Sequence, residues 1–173
     1  MKGNLKMNEP NEMARIESYF QHFTDFDFEL RRISVYANLF FRNTGSETIE
    51  NPEIMIQISP ESTGELSGKI LSPSLIQVFG VYMKTKKGPQ RGWSFAREDW
   101  FSHGKKTGEY RIQSIEPIQL TPGSSYELRE LQIDFEFPKL AGTIQIDAYI
   151  FSGEDMHSVL NPICIHLYGT PQQ

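Results

Sequence analysis

The sequence predicts an all-β fold in which antiparallel sheets enclose one apolar interior. Three observations carry this. Apolar residues recur at every second position in several short segments, and Gly, Pro and Asn punctuate the gaps between them. Strands do not alternate with long helical patterns, as a parallel α/β sheet would require. Strands this short fit a sandwich or a barrel, and a sandwich is the expected form.

Taken along the chain, residues 1–10 are polar and expected to be flexible, leaving 11–173 as a single domain. From Asn11 to Phe23 two readings compete. Met13, Ile16, Phe20 and Phe23 have helical spacing behind a capping Asn11, which favours one short N-terminal helix, while the aromatic-rich end suits a strand equally. Phe26, Phe28 and Leu30 alternate with Asp25, Asp27 and Glu29. At Ile33 the apolar phase moves to odd numbers, so a β-bulge is expected near Arg31 and Arg32.

Ile33, Val35, Ala37, Leu39 and Phe41 define a half-buried strand. It breaks at Asn43-Thr44-Gly45-Ser46, and alternation resumes at Ile54, Ile56 and Ile58. Leu75 to Met83 is apolar on both faces and reads as a central strand, or as one covered on its second face. Phe79 and Val81 are its candidate self-association residues, because an uncovered second face is a liability. A strand is expected at Tyr110 to Ile112, with Pro117 at a strand end and a turn at Thr121-Pro122-Gly123-Ser124. Leu131, Ile133, Phe135 and Phe137 form the clearest half-buried strand. Tyr126 and Leu128 lie out of phase with it, which places a second bulge near Arg129. Ile144, Ile146, Ala148 and Ile150, then Ile163, Ile165 and Leu167, complete the set.

Asn38-Leu39-Phe40-Phe41-Arg42-Asn43-Thr44-Gly45-Ser46, with Pro52 opening the next strand, resembles the start of immunoglobulin-like modules of the CARDB and fibronectin type III kind. Leu120-Thr121-Pro122-Gly123-Ser124-Ser125-Tyr126-Glu127-Leu128 is similar to the stretch preceding a core strand in those modules. The resemblance covers about half the chain. It implies an immunoglobulin-like sandwich serving adhesion or interaction, and it assigns no functional residue. Relative to such modules, residues from about 64 to 111 read as a long charged, aromatic insertion.

Composition bounds the chemistry. A formal net charge of -5 gives no general attraction to nucleic acid or anionic membrane. The lone cysteine, Cys164, excludes an internal disulfide, and no segment approaches the roughly 20 apolar residues of a membrane-spanning helix. A cytoplasmic location with no membrane partner is therefore expected. The insertion is the outlier: Lys84 to Arg111 holds eight bases against three acids, a local excess of +5. Trp93, Trp100, Phe95 and Phe101 lie among those cations. Lys86, Lys87, Arg91, Trp93, Arg97, Trp100, Phe101, Lys105 and Lys106 are the candidate binding residues. They suit a protein interface, or else stacking on an anionic polymer, nucleic acid or glycan. The competing reading packs the tryptophans under a loop and leaves the lysines in water.

Gly104-Lys105-Lys106-Thr107 resembles the end of a phosphate-binding loop, yet the glycine required five residues earlier is Asp99, and a turn between strands accounts for it better. Cys164 and His166 share a strand face but have no second local pair of metal ligands, while His22, His103 and His157 are scattered. No nucleophile elbow or His-Glu-x-x-His motif is present. The expected function is a non-catalytic, cofactor-free module binding a protein partner or itself. Binding of an anionic polymer or glycan through residues 84–111 is the alternative.

Overall fold

The computed structural model describes residues 15–76, 92–136 and 142–168. They are mostly β, as the alternation predicts. A four-stranded sheet contains β1 (Ile16–Asp27), β2 (Arg32–Asn43), β10 (Ser125–Glu136) and β5 (Gly64–Gly68), in that order. A larger sheet runs through β12 (Asp155–Ser158), β11 (Gly142–Ser152), β4 (Glu53–Ser59), β8 (Glu109–Ser114), β7 (Trp93–Phe95) and β6 (Ile70–Leu71), and β13 (Ile163–Leu167) also pairs with β11. A short ladder joins β3 (Ile49–Glu50) to β9 (Gln119–Leu120). Pairing is antiparallel except between β6 and β7. Residues 73–76 are helical (α1), so the strand expected from Leu75 does not begin there, and residues 77–83 of it lie outside the described residues; α2 spans Trp100–Thr107.

The predicted inward residues of β2, β4 and β11, with Leu131, Ile133 and Phe135 of β10 and Ile163 and Ile165 of β13, meet in one buried cluster, together with Leu66, Ile70, Phe95, Tyr110 and Ile112; Leu167 packs against it partly buried, and Phe137 lies outside the described residues. Each large apolar side chain there contributes about 1.5–3 kcal/mol on full burial. The expected bulge near Arg129 is present. The β2–β10 register shifts between Leu128 and Leu131, and Glu130 takes a positive φ of 56°.

Three expectations are corrected. The N-terminal helix is absent from Ile16 onward, where β1 pairs with β2 without interruption. Helical spacing there was incidental: Ile16, Ser18 and Phe20 are the buried positions, a period of two. The phase change at Ile33 comes from a hairpin turn over 28–31 rather than a bulge, with Asp27 opposite Arg32. Arg31 adopts φ 53° and the Leu30 N–H donates to Asp27 Oδ1 at 2.8 Å. Lastly, the described residues between 64 and 111 belong to the sheets rather than to a separate insertion. They contribute β5 to one sheet and β6, β7 and β8 to the other. These strands are two to six residues long, too short for periodicity to register.

The two turn motifs behind the resemblance are physically joined. Asn43 is fully buried; its Nδ2 donates to Glu47 O at 2.6 Å and Leu120 O at 2.8 Å, while its Oδ1 accepts from the Gly45 N–H at 2.9 Å. Its backbone also bonds Ser124 O and the Gly123 N–H. One amide thus ties the turn after β2 to the turn before β10, where Gly123 supplies a φ of 79° that a side chain would strain.

Candidate interaction surface

The candidate binding residues do not form one site. Lys86, Lys87 and Arg91, and with them Phe79 and Val81, lie outside the described residues. Trp93 opens β7, packs edge-on against Phe41 and donates its indole N–H to Glu127 O at 3.1 Å. Trp100, on α2, stacks on buried Phe95 with ring centroids 3.8 Å apart. Both indoles rest on the core. Phe101 stays exposed beside Trp100, with Lys105 Nζ 5.5 Å from its ring.

Most of the described cations of this region are committed. Arg97 pairs with Asp99 at 2.9 Å, Lys105 with Glu65, and Arg111 with Glu53 at 2.6 Å and Glu109 at 2.7 Å. Donation of hydrogen bonds to Asp99 raises the Arg97 pKa, and the same bonds hold the Asp99 carboxyl below its ordinary range. Both groups are on the surface, where such pairs add little stability. Lys106 is exposed near the end of α2, where positive charge suits the helix C-terminus. Four of the eight bases counted (Lys84, Lys86, Lys87 and Arg91) fall outside the described residues; the remaining Arg97, Lys105, Lys106 and Arg111 face Glu98, Asp99 and Glu109, for +1.

Gly104 has a steric role. It is buried in α2, and a Cβ placed on it would fall within contact distance of the Tyr110 ring. The expected turn is therefore the last part of a helix, ended by Gly108 at φ 72°. Tyr110 in turn sends its hydroxyl toward Gly64 O at 3.4 Å, and burial raises its pKa. A raised folded-state pKa means the neutral phenol is favoured in the fold, so this contribution is intact below about pH 10 and lost as pH rises further. Tyr110→Phe is expected to cost about 1 kcal/mol in thermal unfolding at pH 7. The loss should be smaller above pH 10, where the wild type is itself weakened.

Neither Cys164 nor the histidines assemble a centre. Cys164 is exposed, His166 Nδ1 bonds Thr143 Oγ1 at 2.9 Å, and among the described residues no group of three or more His, Cys, Asp or Glu could hold a metal ion. Nor, among those residues, is any helix long and apolar enough to cross a membrane.

Two surface features remain. A hollow of about 910 Å³ lies beside Trp93 and Tyr126, with Lys69 and Arg129 on its rim. Those cations are held by Glu130 and Glu127, respectively. Half of the large apolar side chains exposed among the described residues lie elsewhere, on the β1–β2 hairpin. Tyr19 is 50% exposed, Phe23 64%, Phe26 41%, Phe28 79% and Leu30 68%. On the outer face, Tyr19 stacks on Phe40 at 5.2 Å and Phe23 on Tyr36 at 4.9 Å. On the opposite face of β1, full burial ends at Phe20: Thr24 is half-buried, and His22 and Phe26 are exposed. The hairpin is the stronger candidate surface, since large exposed apolar rings give binding energy more readily than paired charges do.

Sequence reasoning missed the hairpin because Phe26, Phe28 and Leu30 alternate with acids as a half-buried strand does. The available signal was the loss of phase just beyond them, which marks a turn as well as a bulge.

No family model matches the chain, and no curated protein matches it. A solved Bordetella pertussis structure that carries the name ApaA is similar at 11% identity and a TM-score of 0.41, over 93% of this chain and 100% of that one. A likeness so slight carries no argument.

Proposed function

We propose that this chain is an immunoglobulin-like β-sandwich that works without catalysis, by binding protein through the β1–β2 hairpin. The observation that carries the reading is the exposure of Tyr19, Phe23 and Leu30, large apolar side chains on one hairpin. Contiguous exposed aromatics mark interaction surfaces, where two-rotor aromatic side chains give contact area at low entropic cost. The linkage of the two turn motifs through Asn43 supports the immunoglobulin-like part. An exposed free thiol at Cys164 suits a reducing, cytoplasmic setting. The polyanion alternative draws little from the described part of residues 84–111, where Arg97, Lys105 and Arg111 already have carboxylate partners.

The test compares the wild type with a Tyr19→Ser, Phe23→Ser, Leu30→Ser variant as bait in extracts of the native host. These are surface positions, so the variant is expected to unfold within a few degrees of the wild type. Proteins held specifically by the wild type should be recovered about tenfold less by the variant. An unchanged set of captured proteins would refute the hairpin as the contact surface.

A further inference from the structure

We propose that the hairpin's partner is a basic segment of another protein, held on the outer face of the four-stranded sheet. This rests on the interaction reading above and names the chemistry of the partner. Sheet register carries the argument. Ile16, Ser18 and Phe20 are the buried positions of β1, so Tyr19, Phe23, Asp25 and Asp27 belong to the outer face. Pairing sets Tyr19 beside Phe40 and Phe23 beside Tyr36, and each β1 ring stacks on its neighbour in β2. Because β1 is the last described strand of this sheet, the second face of each of its rings turns away from β2 with no described strand beyond it.

Carboxylates continue the same face past the rings. Asp25 and Asp27 follow Phe23 on β1, while Asp134 and Glu136 of β10 stand opposite Ser34 and Arg32 of β2. Against these four acids, the same positions of the three strands carry one base, Arg32, 4.0 Å from Asp134. From Ile16 to Leu30 the chain contains no lysine or arginine. Exposed rings are thus coupled to an excess of negative charge. The open face of such a ring attracts a guanidinium or ammonium group, and carboxylates nearby reinforce the attraction and select for a basic partner.

Other occupants fit less well. A polyanion is repelled. A bare cation would leave the rings uncovered, and among the described residues no group of three or more His, Cys, Asp or Glu could hold a metal ion. A second copy set face to face would bring two sets of these acids together, on a chain whose formal net charge is -5. Strand addition along the border of β1 meets a segment already in place. Leu160 N–H donates to Ser18 O at 2.8 Å; Asn161 Oδ1 accepts from the Phe20 N–H at 2.7 Å, and its Nδ2 donates to Phe20 O at 2.9 Å. Contact through outer-face side chains needs none of those backbone groups.

The probe is a fluorescein-labelled peptide of Arg-Gly-Leu repeats, titrated with the full chain and followed by anisotropy. A Kd on the order of 10–100 µM is expected in about 0.05 M salt, weakening about tenfold by about 0.5 M. An Asp25→Asn, Asp27→Asn variant keeps the acceptor that Asp27 offers the Leu30 N–H, so it should fold as the wild type does and bind about fivefold more weakly. Phe23→Ser should weaken binding about tenfold. A peptide with glutamate in place of arginine should not bind. Absence of binding by the arginine peptide at about tenfold the higher expected Kd, equal binding of the glutamate peptide, or affinity that neither variant lowers would overturn the proposal. So would salt-sensitive self-association of the chain that the double asparagine variant abolishes, since the occupant would then be a second copy. If host proteins are lost with the serine substitutions at Tyr19, Phe23 and Leu30 yet stay bound to the wild type in about 0.5 M salt, the inference falls and the interaction reading stands. A captured set that ignores those substitutions removes the reading, and this inference with it.

Discussion

Asn43→Ala is expected to lower the unfolding free energy by about 3 kcal/mol or more. The side chain is fully buried and serves three backbone groups: the carbonyls of Glu47 and Leu120 and the N–H of Gly45. Truncation leaves all three short of a partner, and each buried unsatisfied group costs about 1–3 kcal/mol, partly relieved where water can enter beside the turn. Against a total stability of about 5–15 kcal/mol this is a large fraction, corresponding to a midpoint about 6–12 °C lower for a chain of this size. Asn43→Asp is the sharper control. It keeps the acceptor for Gly45 but loses both donors and sets a buried carboxylate against two carbonyls, so it should be at least as damaging as alanine. A loss below about 1 kcal/mol for either variant, measured by reversible thermal or urea unfolding, would mean that the two turns hold together without the amide.

Gly104→Val is expected to be next in severity, at about 2–4 kcal/mol. The Tyr110 ring lies against the bare backbone of α2, and any Cβ at position 104 collides with it. Tyr110 can yield only by moving within a core it shares with Phe95 and Ile112. The prediction has an internal check. Tyr110→Leu reduces the ring and should partly rescue Gly104→Val, so the double variant should be more stable than the sum of the two single losses implies. Strict additivity would show that the glycine is needed for some other reason.

Both predictions concern residues whose meaning changes between sequence and structure. Asn43 is legible as the end of a strand and the start of a turn. Its role as a bridge is not, because the partner carbonyl of Leu120 lies 77 residues away. Gly104, read beside two lysines, suggests phosphate binding; only the ring packed on it explains the absence of a side chain. More generally, strands with long uninterrupted alternation were readable, since one dry face imposes a period of two on β2, β4, β10 and β11. The stretch from Gly64 to Arg111 was not, because its strands are short and its helix is brief. Charge misled as well. A tally over residues 84–111 takes no account of Glu65 and Glu53, which lie outside that stretch yet sit close enough in space to neutralise Lys105 and Arg111. The hairpin was misread for a related reason. Periodicity reports which residues share a side of a strand and is blind to whether another sheet reaches far enough to cover it.

The clasp between Phe20 and Asn161 spans 141 residues of chain. During synthesis the first hairpin therefore leaves the ribosome long before the segment that shields its border exists. Throughout that interval an aromatic ribbon is open to whatever lies nearby, including neighbouring nascent chains on the same message.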